Sequence, residues 1–182
     1  MNTNPQPPLE RHPWPPYVPD GAQYLFLGTF PPKAIRWSMP FFYPNPRNDF
    51  WRVMGLIFFD RPDALWNEAG KRFDLEAIKR FLDRERIAMW DTAMAVRRLK
   101  DNASDKFLDI VQTIDLKAML DKYPSIQTVV TAGEKATAVV ADMVSVDVPS
   151  IGRPVACLLG GHEFTLWRMP SSSRAYPLAL NH

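Results

Sequence analysis

The chain has 182 residues, 46% of them hydrophobic, with 22 basic against 20 acidic side chains and a formal charge of +2. That length supports one core burying roughly two-thirds of the unfolded chain's surface, and so balanced a charge excludes a polybasic nucleic-acid binder, leaving only local basic patches. The single cysteine, Cys157, excludes an internal disulfide, a four-cysteine iron–sulfur cluster and a CxxC zinc site. With no apolar run near the ~20 residues of a membrane span and no signal-peptide pattern, the expectation is a monomeric, cytoplasmic protein without metal or cofactor.

In chain order, residues 1–19 form an arm holding seven of the 18 prolines. It is expected to be extended, PPII-like and on the surface, with a flexible tail as the plain reading, ahead of a single domain over residues 20–182. Tyr24-Leu25-Phe26-Leu27, ended by Gly28, reads as a buried strand. Asn48 or Asp49 opens a helix whose Phe50, Trp51, Met54, Ile57 and Phe58 recur at helical spacing. A second helix covers Leu75 to Leu82, and Ile87-Ala88-Met89-Trp90 before Asp91 is a second strand. A helix is expected over Phe107 to Leu120, a strand from Ile126 to Ala132, a helix over Glu134 to Met143, and a last strand over Phe164 to Met169. This alternation predicts a three-layer α/β/α fold with a central, mostly parallel, four-stranded sheet. Ligands in such sheets sit beyond the carboxyl ends of the strands, which singles out the loops at Gly28, Asp91, Gly133 and Pro170.

Three segments carry chemistry. Gly28-Thr29-Phe30-Pro31-Pro32 puts a tight turn, a hydroxyl and an aromatic ring at a strand end, where backbone amides can face a ligand. Phe41 to Trp51 packs five aromatics, four polar or charged residues and two prolines into eleven positions; the plain alternative is that Asn48 caps a helix and the rings fill space. Met169-Pro170-Ser171-Ser172-Ser173-Arg174-Ala175-Tyr176-Pro177 offers three consecutive hydroxyls suited to phosphate oxygens and an arginine for a phosphate or a base stack, or else an ordinary surface loop. Asp91 either organises a site or caps the next segment. At Gly133-Glu134-Lys135, helix amides and Lys135 can meet phosphate, although an exposed helix start explains them equally.

A Gly-x-x-Pro turn after a strand, an aromatic segment ending Pro-x-Asn-x-Phe-Trp, and a late Met-Pro-Ser-Ser-Ser loop, in this order, resemble the uracil-DNA glycosylase superfamily. The match is to its mismatch-specific uracil/thymine branch and, through Phe42 to Trp51, more closely to its hypoxanthine-DNA glycosylase branch. The resemblance runs from Leu25 to about Pro177. It implies a monofunctional glycosylase that flips a deaminated base (uracil, hypoxanthine or mismatched thymine) from damaged double-stranded DNA and hydrolyses its N-glycosidic bond. Phe30 stands where the family carries its catalytic aspartate or asparagine, so the resemblance moves water positioning to Asn48. An amide cannot act as a strong base, but it can orient water toward C1′. It also implies that Gly28, Thr29, Phe30 and Tyr43 hold the flipped base, and that Ser171, Ser172, Ser173 and Arg174 grip DNA together with Arg47 and Lys135. No lysine matches a Schiff-base position, so water is the expected nucleophile. Met169 stands where classical uracil enzymes carry a histidine, and His162 reads as a loop residue. The alternative is a non-catalytic DNA-binding or damage-sensing protein of the same fold.

Overall fold

A computed structural model describes residues 5–102 and 104–175; residues 1–4 of the arm and Tyr176–Pro177 of the last motif lie outside them. In chain order the elements are β1 (Leu9–Arg11), β2 (Tyr24–Gly28), α1 (Phe50–Phe59), β3 (Trp66–Asn67), β4 (Arg72–Phe73), α2 (Leu75–Glu85), β5 (Ile87–Asp91), β6 (Ala93–Arg98) and β7 (Leu108–Thr113). There follow α3 (Leu116–Lys122), β8 (Thr128–Ala132), α4 (Glu134–Met143), β9 (Val155–Leu159) and β10 (His162–Met169).

The central sheet has the order β5-β2-β8-β10-β9. The four strands expected from apolar runs are neighbours and run parallel, but a fifth, β9, pairs antiparallel with β10, so the sheet is mixed and five-stranded. Side chains alternate between its faces. Leu25, Leu27, Val129 and Leu166 pack with Leu116 and Leu120 of α3 and Val140 of α4. On the other face, Phe26, Ile87 and Met89 meet Phe50 and Trp51 of α1 and Ile78 and Phe81 of α2. Helices therefore cover both faces. Asp74 caps α2 by accepting from the Ala77 amide at 3.0 Å, and Asp115 caps α3 through the Ala118 amide at 2.9 Å.

The helix expected over Phe107 to Leu120 is instead a strand and a shorter helix. Leu108 is buried and Ile110 packs beside it on the cluster of Phe30, Ala93 and Val96, while β7 pairs antiparallel with β6. Tertiary pairing overrides the local helical spacing; α3 begins only after the Asp115 cap.

The described part of the arm is extended, but it is no flexible tail. β1 is an edge strand of a second sheet, β1-β6-β7, with Leu9 opposite Arg97. Arg98 grips the Glu10 carboxylate at 3.1 and 3.0 Å, Arg97 donates to the Pro7 carbonyl at 2.7 Å, and Tyr17 exchanges backbone hydrogen bonds with Met89 at 3.0 and 2.9 Å. Prolines are tolerated there because an edge strand can leave N–H groups unpaired. No helix among the described residues is long and apolar enough to cross a membrane.

The order of the central sheet fixes where a ligand can go. From β2 the chain proceeds to β5 on one side, and from β8 to β10 on the other. The crevice between the carboxyl ends of β2 and β8 is thus a topological switch point.

Candidate active site

A cleft of about 690 Å³ opens at that switch point. It is lined by Gly28 to Pro32 after β2, Tyr43 to Asn48 before α1, Asp91 at the end of β5, Gly133 to Lys135 at the start of α4, and Ser171 to Ala175 after β10. The eleven sequence-predicted site residues, Gly28, Thr29, Phe30, Tyr43, Arg47, Asn48, Lys135 and Ser171 to Arg174, line this cleft from segments well over a hundred residues apart. Two further contributions went unread in the sequence: the Ser104–Lys106 turn before β7, and Arg36 on the rim.

The first loop is close-packed. A Cβ at Gly28 would fall 2.7 Å from Asp91 Oδ1 and 2.8 Å from the Tyr43 hydroxyl, so only glycine lets these two groups approach the strand end. Thr29 is 3% exposed and its hydroxyl has no partner at hydrogen-bonding geometry among the described residues. Phe30 turns its ring into the cluster with Ala93, Val96 and Leu108, edge-on to His12 at 5.6 Å. At the place of the family's polar residue, this chain has a ring that ties the loop to the second sheet, while its backbone stays on the cleft.

Tyr43 adopts a left-handed backbone (φ 51°), a strained conformation for a bulky residue. Its ring stacks on Phe50 with centroids 3.9 Å apart and 8° between planes. Burial raises the phenol well above its ordinary value, and the Asp91 and Asp105 carboxylates add to the rise, so Tyr43 is a neutral hydroxyl, itself without a partner among the described residues. Asn48 does serve its helix: its Oδ1 accepts from the Phe50 amide at 2.9 Å, and its carbonyl accepts from Arg52 at 3.2 Å. The first bond fixes the side chain on the cleft wall and leaves its amide NH2 without a partner among the described residues.

Asp91 carries the deepest polar contact. His12, from the arm, sets Nε2 2.8 Å from Asp91 Oδ2 and Nδ1 2.8 Å from the Trp14 carbonyl oxygen. Both side chains are under 9% exposed. A buried histidine–carboxylate contact thus underlies the first loop. Asp105 sits above it, its carboxyl pushed up to about 6, first by desolvation, then by the Asp91 charge; the Thr29 hydroxyl, Lys135 and Arg98 pull the other way. A carboxyl that titrates near neutrality in a cleft is a candidate acid or base.

Two residues expected to grip DNA have partners within the protein. Lys135 bonds the carbonyls of Asp105, at 2.9 Å, and Leu108, so it fastens the Asp105 turn to α4. Arg174 forms a forked contact to Asp49, with Nη2 2.9 Å from Oδ1; the Asp49 amide in turn donates to the Ser172 carbonyl at 3.0 Å. Gly133, at φ 90°, brings the start of α4 against Ser171. His162 begins β10 instead of lying in a loop, and its Nε2 bonds the Ile126 carbonyl at 2.7 Å. Arg36, Arg47 and Lys106 remain as cations on the rim.

An open α/β sheet with a switch-point cleft, fed by a Gly-x-x-Pro turn, an aromatic segment and a serine loop, defines the uracil-DNA glycosylase-like fold. That fold matches the solution NMR structure of a protein from Methanosarcina acetivorans, provisionally described as a uracil DNA glycosylase, at a TM-score of 0.58 and 20% identity over 92% of this chain and 86% of that one. The chain is also similar to a hypoxanthine DNA glycosylase from Methanosarcina barkeri, 28% identical over 128 residues, 70% of this chain and 73% of that protein. No family model matches. Sequence and fold are thus both similar to those of DNA glycosylases of the uracil-DNA glycosylase kind.

Proposed function

We propose that the protein is a monofunctional DNA glycosylase that removes a deaminated base from duplex DNA with water as the nucleophile. One observation carries the reading: the cleft gathers Asn48, Asp105, the Thr29 hydroxyl and the serine loop in a volume within the range of small-ligand sites and ample for a flipped nucleotide. The named relative makes hypoxanthine the first substrate to test, with uracil and mismatched thymine next.

In this mechanism the base is flipped into the cleft, where unstacking costs a few kcal/mol that pocket contacts partly return. Tyr43, held rigid by Phe50, packs against it, and Thr29 supplies a hydroxyl already stripped of water. The C1′–N bond breaks with its electron pair leaving on the base. Positive charge grows on the sugar, near the carboxylates of Asp105 and Asp91. Asn48 orients the water that adds to C1′, and Asp105, mostly ionised at pH 7, accepts the water's proton. Ser171 to Ser173, with Arg47 and Lys106, hold the flanking phosphates.

The damage-sensing alternative draws on Phe30, whose ring lies in the core where relatives position water. Incubating the protein with duplexes containing hypoxanthine, uracil, xanthine or mismatched thymine separates the two. Abasic product from at least one lesion is expected; tight binding with every lesion intact would replace the enzyme by the sensor.

A further inference from the structure

Ile35 is 93% exposed, more than any other large apolar side chain among the described residues, the next being Ile57 at 62%. It does not dangle. It sits in the 3₁₀ turn Ala34–Arg36, closed by hydrogen bonds from the Arg36 amide to the Lys33 carbonyl (2.9 Å) and from the Trp37 amide to the Ala34 carbonyl (3.0 Å). The Trp37 indole donates to the Pro32 carbonyl at 2.7 Å and packs edge-on against Trp14 of the arm at 4.7 Å. The turn is therefore anchored on both flanks while its apolar tip projects into solvent. Arg36 lines the main cleft, and Ile35, Arg36 and Arg47 share a shallow groove of about 300 Å³ alongside it.

A rigid apolar tip with cations beside it, at the mouth of a cleft, suits one partner: a base step of duplex DNA whose flanking phosphates meet the arginines. The geometry points to Ile35 as the wedge that enters the stack next to the flipped nucleotide, with Arg36 and Arg47 on the adjoining phosphates, a role that rests on the glycosylase reading above. Apolar side chains inserted between base steps unstack and kink the duplex in this way. Arg174, which also lines the cleft, is engaged with Asp49. It is held back from the same task.

The test compares the full chain with its Ile35→Ala and Ile35→Leu variants on one lesion placed in a duplex and in a single strand. Ile35→Ala should lose about ten- to a hundredfold in single-turnover excision from duplex and stay within about twofold on single strand, where no stack needs opening; Ile35→Leu should restore the duplex rate. In parallel, 2-aminopurine beside an abasic-site analogue reports unstacking without chemistry, and its fluorescence should rise with the parent and not with Ile35→Ala. An unchanged duplex-to-single-strand ratio together with parental fluorescence overturns the wedge, as does a shift in that ratio produced by Arg174→Ala instead. If the parent cleaves nothing yet shows the Ile35-dependent signal, the wedge stands and the glycosylase reading falls.

Discussion

The two walls of the cleft are held by opposite means. The wall from Gly28 to Trp37 rests on groups withdrawn from water: the Phe30 ring, the His12–Asp91 pair beneath, and Arg98, 9% exposed, donating to the Pro31 carbonyl at 3.2 Å. The Ser171–Arg174 wall is fastened from outside, by one backbone bond to Asp49 and by an arginine whose side chain is 55% exposed. Desolvated contacts are strong and intolerant of change, whereas exposed ion pairs contribute little and exchange readily for other partners. Chemistry needs the first kind of wall. Gripping a phosphate chain of variable shape is served by the second.

The largest effect should come from the buried wall. His12→Ala leaves buried Asp91 without its hydrogen-bond partner, which typically costs about 3 kcal/mol, about 10 °C in midpoint for a chain this size. Thermal denaturation would show it, and a loss below about 1 kcal/mol would mean that the contact does not hold this wall. Asn48→Ala should lower single-turnover excision by on the order of a hundredfold while affinity for damaged duplex changes little, because water orientation acts in the chemical step; excision at the parental rate would leave Asn48 a helix cap only.

Asp105 sharpens the comparison through pH. A carboxyl raised from 3.8 to about 6 on folding contributes stability that is full below pH 3.8 and lost as pH rises through 6. Asp105→Asn removes that loss, so the variant should be more stable than the parent at pH 8, by at most ~3 kcal/mol, and similar to it at pH 3. Its excision should be slow and without an inflection near pH 6. Denaturant titrations at the two pH values and a rate profile check both halves. The smallest effect belongs to the exposed wall. Asp49→Asn should change stability by about 1 kcal/mol or less, yet release Arg174 and steepen the salt dependence of DNA binding by roughly one power of salt concentration.

The four parallel strands were legible because each is an apolar run closed by Gly, Asp, Ala-Gly or Pro, and α4 was legible to the residue. β9 was not: Val155-Ala-Cys-Leu-Leu is short, follows a proline and gains its place only by pairing with β10. Nor were β6 and β7, whose pairing outweighs a local helical spacing. At the site, the three motifs carried their residues to one cleft. The groups that tune it were invisible, since His12 meets Asp91 across 79 residues and Asp105 owes its raised carboxyl to burial and the Asp91 charge, against the opposing pull of Thr29, Lys135 and Arg98 from three other segments. Desolvation is a property of assembled structure, and no spacing in one segment encodes it.

The position of β10 between β8 and β9 has a consequence for how the molecule comes into being. During synthesis β9 emerges before the strand it must pair with, and β8 waits for a neighbour about 35 residues downstream. Non-local pairings of this kind make folding slow, since loop closure is opposed by entropy until the late contacts form. The serine loop follows β10 directly, so its wall is the last part of the cleft to leave the ribosome. A nascent chain carries His12 and Asp91 early, yet its cleft stays incomplete until the sheet is closed.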